Sequence, residues 1–84
     1  MFGVHPMISD RVNGRIRARQ VRVIDKTGNQ LGVFSLADAL KLAQSRSEDL
    51  IEIDSEEVPP VCQVMDYGEY RWRMQQIQKD RTHD

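Results

Sequence analysis

At 84 residues, with 39% hydrophobic and 30% charged side chains, the chain has the length and balance of one small soluble domain rather than of a disordered segment. No apolar run approaches the roughly 20 residues that cross a bilayer, so no membrane partner is expected. The single cysteine, Cys62, excludes an internal disulfide and fits a reducing cytoplasm.

The net charge of −1 hides an asymmetry. Residues 1–24 carry five arginines against one aspartate, residues 25–57 three basic against eight acidic side chains, and residues 58–84 four against four. A basic arm beside an acidic body suits contact with phosphate through one limited face, not coating of nucleic acid all round.

Residues 1–9 show neither periodicity nor a basic-then-apolar leader pattern and read as a loose tail. Asn13-Gly14 is a turn signal. Alternation over Gln20-Val21-Arg22-Val23-Ile24 predicts a strand, with Leu31-Gly32-Val33-Phe34 as its partner. Between them, Asp25-Lys26-Thr27-Gly28-Asn29 supplies a glycine and an asparagine for positive φ in the connection.

Ser35 reads as an N-cap with Asp38 as its capping-box partner, and Leu36, Ala39, Leu40 and Ala43 follow at helical spacing. That helix is expected to end near residues 45–47. Leu50-Ile51-Glu52-Ile53-Asp54 alternates again, which predicts Ile51 and Ile53 inward and Glu52 and Asp54 outward. After an acidic loop (Ser55-Glu56-Glu57), Pro59-Pro60 marks an extended entry to a last strand over residues 61–65.

Asp66, with Glu69 three positions on, predicts the cap of a second helix running to Asp80. Its Tyr70, Met74 and Ile77 share a face, from which Trp72 points away. At about 1.5 Å per residue this helix is short, and its end is expected to fray. The order strand–strand–helix–strand–strand makes an α+β domain, a four-stranded sheet with one helix on one face and the other face solvated or held against a partner.

Catalysis finds little support. A nucleophilic cysteine needs a nearby base or cation, but Cys62 sits within a strand and the histidines, His5 and His83, lie in the two tails. No Cys/His cluster has metal-ligand spacing, and no glycine loop cradles phosphate, so neither a metal nor a cofactor is expected. Two clusters suit RNA instead. Arg15, Arg17 and Arg19 recur at every second residue, which on an extended segment aligns three guanidiniums for successive phosphates. The alternative is an edge segment that uses charge to prevent strand pairing. Tyr67, Tyr70, Arg71, Trp72 and Arg73 interleave rings for base stacking with charges for phosphate, although Tyr70 has the spacing of a helix anchor.

Several blocks, in order, resemble the N-terminal half of bacterial translation initiation factor three. They are Asn13-Gly14-Arg15-Ile16-Arg17-Ala18-Arg19-Gln20-Val21-Arg22-Val23, then Gln30-Leu31-Gly32 with Ser35-Leu36 and Ala39-Leu40, then Asp49-Leu50-Ile51-Glu52-Ile53, and most specifically Pro59-Pro60-Val61-Cys62-Gln63-Val64-Met65-Asp66-Tyr67-Gly68. The resemblance implies a β-grasp-like domain over residues 10–66 leading into an interdomain linker helix over 67–84. It also implies a place on the platform of the small ribosomal subunit, against ribosomal RNA and platform proteins, near the elbow of initiator tRNA. There the domain would support initiator and start-codon selection.

Carried over as contacts are Arg22, Gln30, Tyr67 and Trp72, with Arg17 and Arg19 as phosphate partners and Gln63 and Arg71 on the same RNA-facing surface. Departures from the family pattern are Gln63 in place of a basic residue, Glu69 in place of a lysine, and Trp72 where tyrosine is common. The family's C-terminal half, its main subunit-binding part, has no counterpart in this sequence, so that half is an expected partner if the chain is a fragment. Two functions stay open: a non-catalytic initiation-factor domain, or a β-grasp protein-interaction module whose RNA affinity is weakened or lost through Gln63 and Glu69.

Overall fold

The computed structural model describes residues 11–82; the tail read in residues 1–9, both histidines and the last two residues lie outside that span. Within it the elements are strands β1 (Gln20–Ile24) and β2 (Gln30–Ser35), helix α1 (Leu36–Ser45), strands β3 (Asp49–Asp54) and β4 (Val61–Met65), and helix α2 (Tyr67–Thr82). The strands form one sheet in the order β2-β1-β4-β3. Its outer pairs are antiparallel and the central β1–β4 pair is parallel, a mixed α+β arrangement of the β-grasp-like kind that the resemblance implies. A parallel centre requires a long crossover, and β2, α1 and β3 provide it.

Local chemistry explains each turn. In the β1–β2 connection the Asp25 carboxylate accepts the backbone N–H groups of Thr27 and Asn29, each at 2.9 Å, and the Thr27 hydroxyl at 2.8 Å. Gly28 takes the positive φ there, at 93°. Asn29, expected to share that role, instead donates to Asp25.

Ser35 both ends β2 and caps α1, its Oγ accepting the Asp38 N–H at 3.0 Å. At the far end Ser47 adopts φ 56°, and the N–H groups of Arg46, Ser47 and Glu48 satisfy the carbonyls of Ala43 and Gln44. The small side chains of Ala39 and Ala43, both fully buried, let α1 lie close on the sheet. They pack with Ile16, Val21, Val23, Leu50, Cys62 and Val64. Each fully buried valine or leucine contributes about 2 kcal/mol relative to exposure, so this one cluster carries most of the domain's stability.

Two expectations need correction. In β3, Leu50, Ile51 and Glu52 are all buried, while Ile53 is 38% exposed. Alternation between a wet and a dry face fails because both faces of β3 are buried here. Leu50 and Glu52 pair with Val64 and Cys62 on the α1 side, and Ile51, partner of Gln63 on the opposite face, is fully buried as well. The segment around Val12 pairs with Ile51, and the Glu52 N–H donates to the Arg11 carbonyl at 2.9 Å. Glu52 and Cys62 are register partners on the α1 side, and the Glu52 carboxylate meets the Arg11 guanidinium at 3.5 Å. A register irregularity between Glu52 and Asp54 then turns Ile53 outward. The second correction concerns Arg15. It lies in a 3-10 turn, Asn13–Arg15, so Arg15, Arg17 and Arg19 do not share one extended side.

That turn is anchored by a residue pair far apart in sequence. Asn13, at φ 55°, donates its side-chain amide to Asp49 Oδ1 at 3.0 Å and accepts the Leu50 N–H at 2.9 Å. The other Asp49 oxygen accepts the Tyr67 N–H at 2.9 Å. One carboxylate therefore ties the N-terminal arm, β3 and the start of α2. Asp49→Ala removes both contacts and leaves partly buried donors unpaired, so the domain is expected to lose about 2 kcal/mol. Urea unfolding of the two proteins measures this, and a loss below about 0.5 kcal/mol would contradict the bridging role.

Candidate nucleic-acid interface

The core beneath α1 takes every second residue of β1 and β4, which leaves their alternate side chains on the opposite face. Register places Gln30, Ile24 and Gln63 in one row of that face and Val33, Arg22 and Val61 in the next. Three of the candidate residues (Arg22, Gln30 and Gln63) are thus brought together from three strands. Arg22 is half-buried and Gln30 exposed. The Gln63 amide is directed to the hairpin, donating to the Asp25 carbonyl at 3.1 Å.

α2 departs from the end of the sheet where this Gln30–Gln63 row lies. Asp66 caps it, Oδ2 accepting the Glu69 N–H at 3.1 Å. A Cβ on Gly68 would stand 3.1 Å from that same oxygen, so glycine leaves the capping carboxylate its room. The Tyr67 and Tyr70 rings stack with centroids 6.3 Å apart, and the Arg71 guanidinium lies 5.9 Å from the Tyr67 centroid.

Trp72 is 60% exposed. The stripe read from the sequence is buried only in part: Tyr70 and Met74 are half-buried, and Ile77 is 51% exposed. α2 packs along no other element in the way α1 does, and it continues to Thr82, beyond the expected Asp80.

Arg17 and Arg19 stand apart from both groups. They precede β1, about 17 Å of strand from its far end. Ile16 and Ala18 turn into the core, which leaves Arg17 and Arg19 outward. Arg19 also lines a shallow apolar groove of about 280 Å³ with Ala18, Gln20, Val58, Pro59 and Pro60. Arg17, Arg19 and Arg22 make no ion pair or side-chain hydrogen bond among the described residues. Three other cations are committed within the fold: Arg11 to Glu52, Lys26 to Glu48 and Arg73 to Glu69. Sequence reasoning had no signal for this division, nor for Asn13 and Asp49 as anchors, because every partner but Glu69 is distant along the chain.

Cys62 is fully buried, and burial, reinforced by the Glu52 carboxylate, pushes its thiol up to about 12. Among the described residues no group of His, Cys, Asp and Glu side chains could hold a metal, and no helix is long and apolar enough to cross a membrane.

Two measurements test these environments. The Asn29 N–H and the Thr27 hydroxyl hold the Asp25 carboxyl down to about 2. Its folded value lies below its ordinary one, so the turn's stabilisation is complete above about pH 4 and fades as pH falls toward 2. NMR of the Asp25 carboxyl carbon should show a midpoint near 2, and a midpoint near 4 would mean the turn is not formed in solution. For Cys62, a disulfide reagent at pH 8 should react slowly with the native chain and within mixing time in denaturant. Fast native labelling would refute its burial.

A sequence profile described as "Translation initiation factor IF-3, N-terminal domain" matches residues 12–81. Translation initiation factor IF-3 of Chlamydia trachomatis is 49% identical over 70 residues, which cover 83% of this chain and 40% of that protein. The same factor of Geobacter sulfurreducens is 43% identical over 76 residues, covering 86% and 44%. That of Neisseria meningitidis is 48% identical over 63 residues, covering 75% and 36%. The chain spans about two-fifths of the length of these relatives.

Proposed function

The chain belongs to the family of the translation initiation factor IF-3 N-terminal domain, and from that membership we propose that it is a non-catalytic binding domain that meets the small ribosomal subunit and initiator tRNA during start-codon selection. The observation that carries this reading is Trp72, 60% exposed on the outward side of α2. An exposed indole next to Arg71 along the helix offers a π-surface to an unstacked base, with charge for the adjoining phosphate.

Arg22 and Gln30 on the open face supply a second contact of charge and amide hydrogen bonding. Arg17 and Arg19, without an internal partner among the described residues, bind phosphate beyond the other end of β1. Contact is therefore spread along the domain, as suits a shaped RNA or a ribosomal protein surface rather than a single short strand. α2 is the helix that would join the domain to a second one, for which its longer relatives have room.

A second reading, a protein-binding module, is favoured by Val33, 48% exposed beside Arg22 on the same face. Salt separates the two. If Arg17, Arg19 and Arg22 each neutralise a phosphate, log K for small ribosomal subunits should fall with log salt at a slope of about −2 to −3, whereas an apolar protein contact gives a nearly flat line. Trp72→Ala should weaken binding at fixed salt by about tenfold with an unchanged circular dichroism spectrum, the weight of one stacked base. Equal affinity of the two proteins would remove Trp72 from the interface.

A further inference from the structure

α2 is tied to the rest of the molecule near its start. The Tyr67 N–H is bound to Asp49 at its first residue, and in the next turn the Arg73 side chain adds a hold. One arm of its guanidinium donates to the Lys26 carbonyl at the hairpin tip, 3.3 Å away, and the other to Glu69 Oε2 at 3.0 Å. Glu69 lies one turn back on the same helix, so it aims Arg73 rather than competing with the hairpin for it.

The neighbouring hairpin carbonyl, Asp25, accepts the Gln63 amide of β4 at 3.1 Å. The Lys26 side chain reaches Glu48, beyond the end of α1, at 3.6 Å. The turn itself is kept rigid by the Asp25 carboxylate. Two consecutive carbonyls of one stiff turn are thus held, one by the sheet and one by the helix.

From this arrangement we infer that Gln63, the hairpin tip, Arg73 and Glu69 form a clamp that sets the direction in which α2 leaves the sheet, and so where Trp72 and Arg71 stand relative to Arg22 and Gln30. Arg73 and Glu69 are positioning residues and do not themselves meet RNA. Gln63 and Glu69, the two positions at which the sequence lacks the positive charge of its resemblance, serve as holds in this clamp. The consequence for RNA rests on the binding function proposed above; the clamp itself does not.

Spin labels on the exposed positions Lys41→Cys and Gln75→Cys, with buried Cys62 left unlabelled, report the angle of α2 in the free chain. The parent should give one narrow distance distribution. Arg73→Ala, Glu69→Ala and Gln63→Ala should broaden it, while Glu69→Gln, which keeps an acceptor for Arg73, should restore it. The midpoint of thermal unfolding should barely change, since none of these side chains belongs to the core.

Binding to small ribosomal subunits adds a test of sign. If Glu69 merely repelled RNA, Glu69→Ala would tighten binding. A clamp predicts weakening by about fivefold, the weight of one hydrogen bond. A broad distribution in the parent, unchanged widths in the variants, or tighter binding by Glu69→Ala would each overturn the inference. Failure of the parent to bind subunits would overturn the proposed function and leave the distance measurement standing.

Discussion

The carboxylate of Asp49 is the constraint on which the rest of this structure depends. Its two oxygens accept from Asn13 and from the first N–H of α2, two segments that otherwise have few bonds to the body. Through Asn13 it holds the arm that covers the outer edge of β3, and that arm is why Ile51 and Glu52 can be buried together. Through Tyr67 it satisfies a donor that no helical carbonyl can reach, so α2 starts at one place and in one direction. A domain this small has only a few kcal/mol of net stability, and two hydrogen bonds shared by one side chain are a sizeable part of it.

From that anchoring follows a division between the two faces of the sheet. α1 seals one face with alanines and leucines; on the opposite face Ile51 and Met65 are buried on β3 and β4, while Arg22, Gln30, Val33 and Gln63 lie across β1, β2 and β4. The cations divide in parallel. Arg11, Lys26 and Arg73 each meet an acid within the fold, whereas Arg17, Arg19 and Arg22 have no such partner among the described residues. Chemically identical side chains thus serve two ends, and position in three dimensions decides which. A guanidinium with a protein carboxylate at 3.0 Å is a poor phosphate ligand, while one without a partner keeps its charge available.

Much of the architecture was legible in the residues. β1 and α1 follow from alternation and from the i, i+3, i+4 spacing of Leu36, Ala39 and Leu40, because both depend on one buried and one wet side. Ser35 and Asp66 were legible as caps, since capping is settled within four residues. β3 was misread at Glu52 and Ile53 because period-two reasoning assumes a free edge and a single buried face, and a segment some 40 residues earlier in the chain removes both conditions. Arg15 was misplaced for a related reason: Asn13 leaves the extended region to reach Asp49, which is distant in sequence. Of the candidate site, residue types and approximate helix placement were readable, but not the separation of Arg17 and Arg19 from Tyr67, Arg71 and Trp72 by the length of β1.

By itself, then, the sequence determined the elements, their order, the core-facing residues of β1 and α1, and the exposure of Trp72, because these follow from spacing and side-chain chemistry within a turn or two. Tertiary structure alone decided the parallel union of β1 with β4, the gathering of Arg22, Gln30 and Gln63 on one face, the burial of Glu52, and the holds of Asp49 and Arg73 on α2. The physical reason is range. Alternation and capping act between neighbours, whereas a carboxylate or guanidinium finds its partner only once strands distant in sequence have been laid side by side.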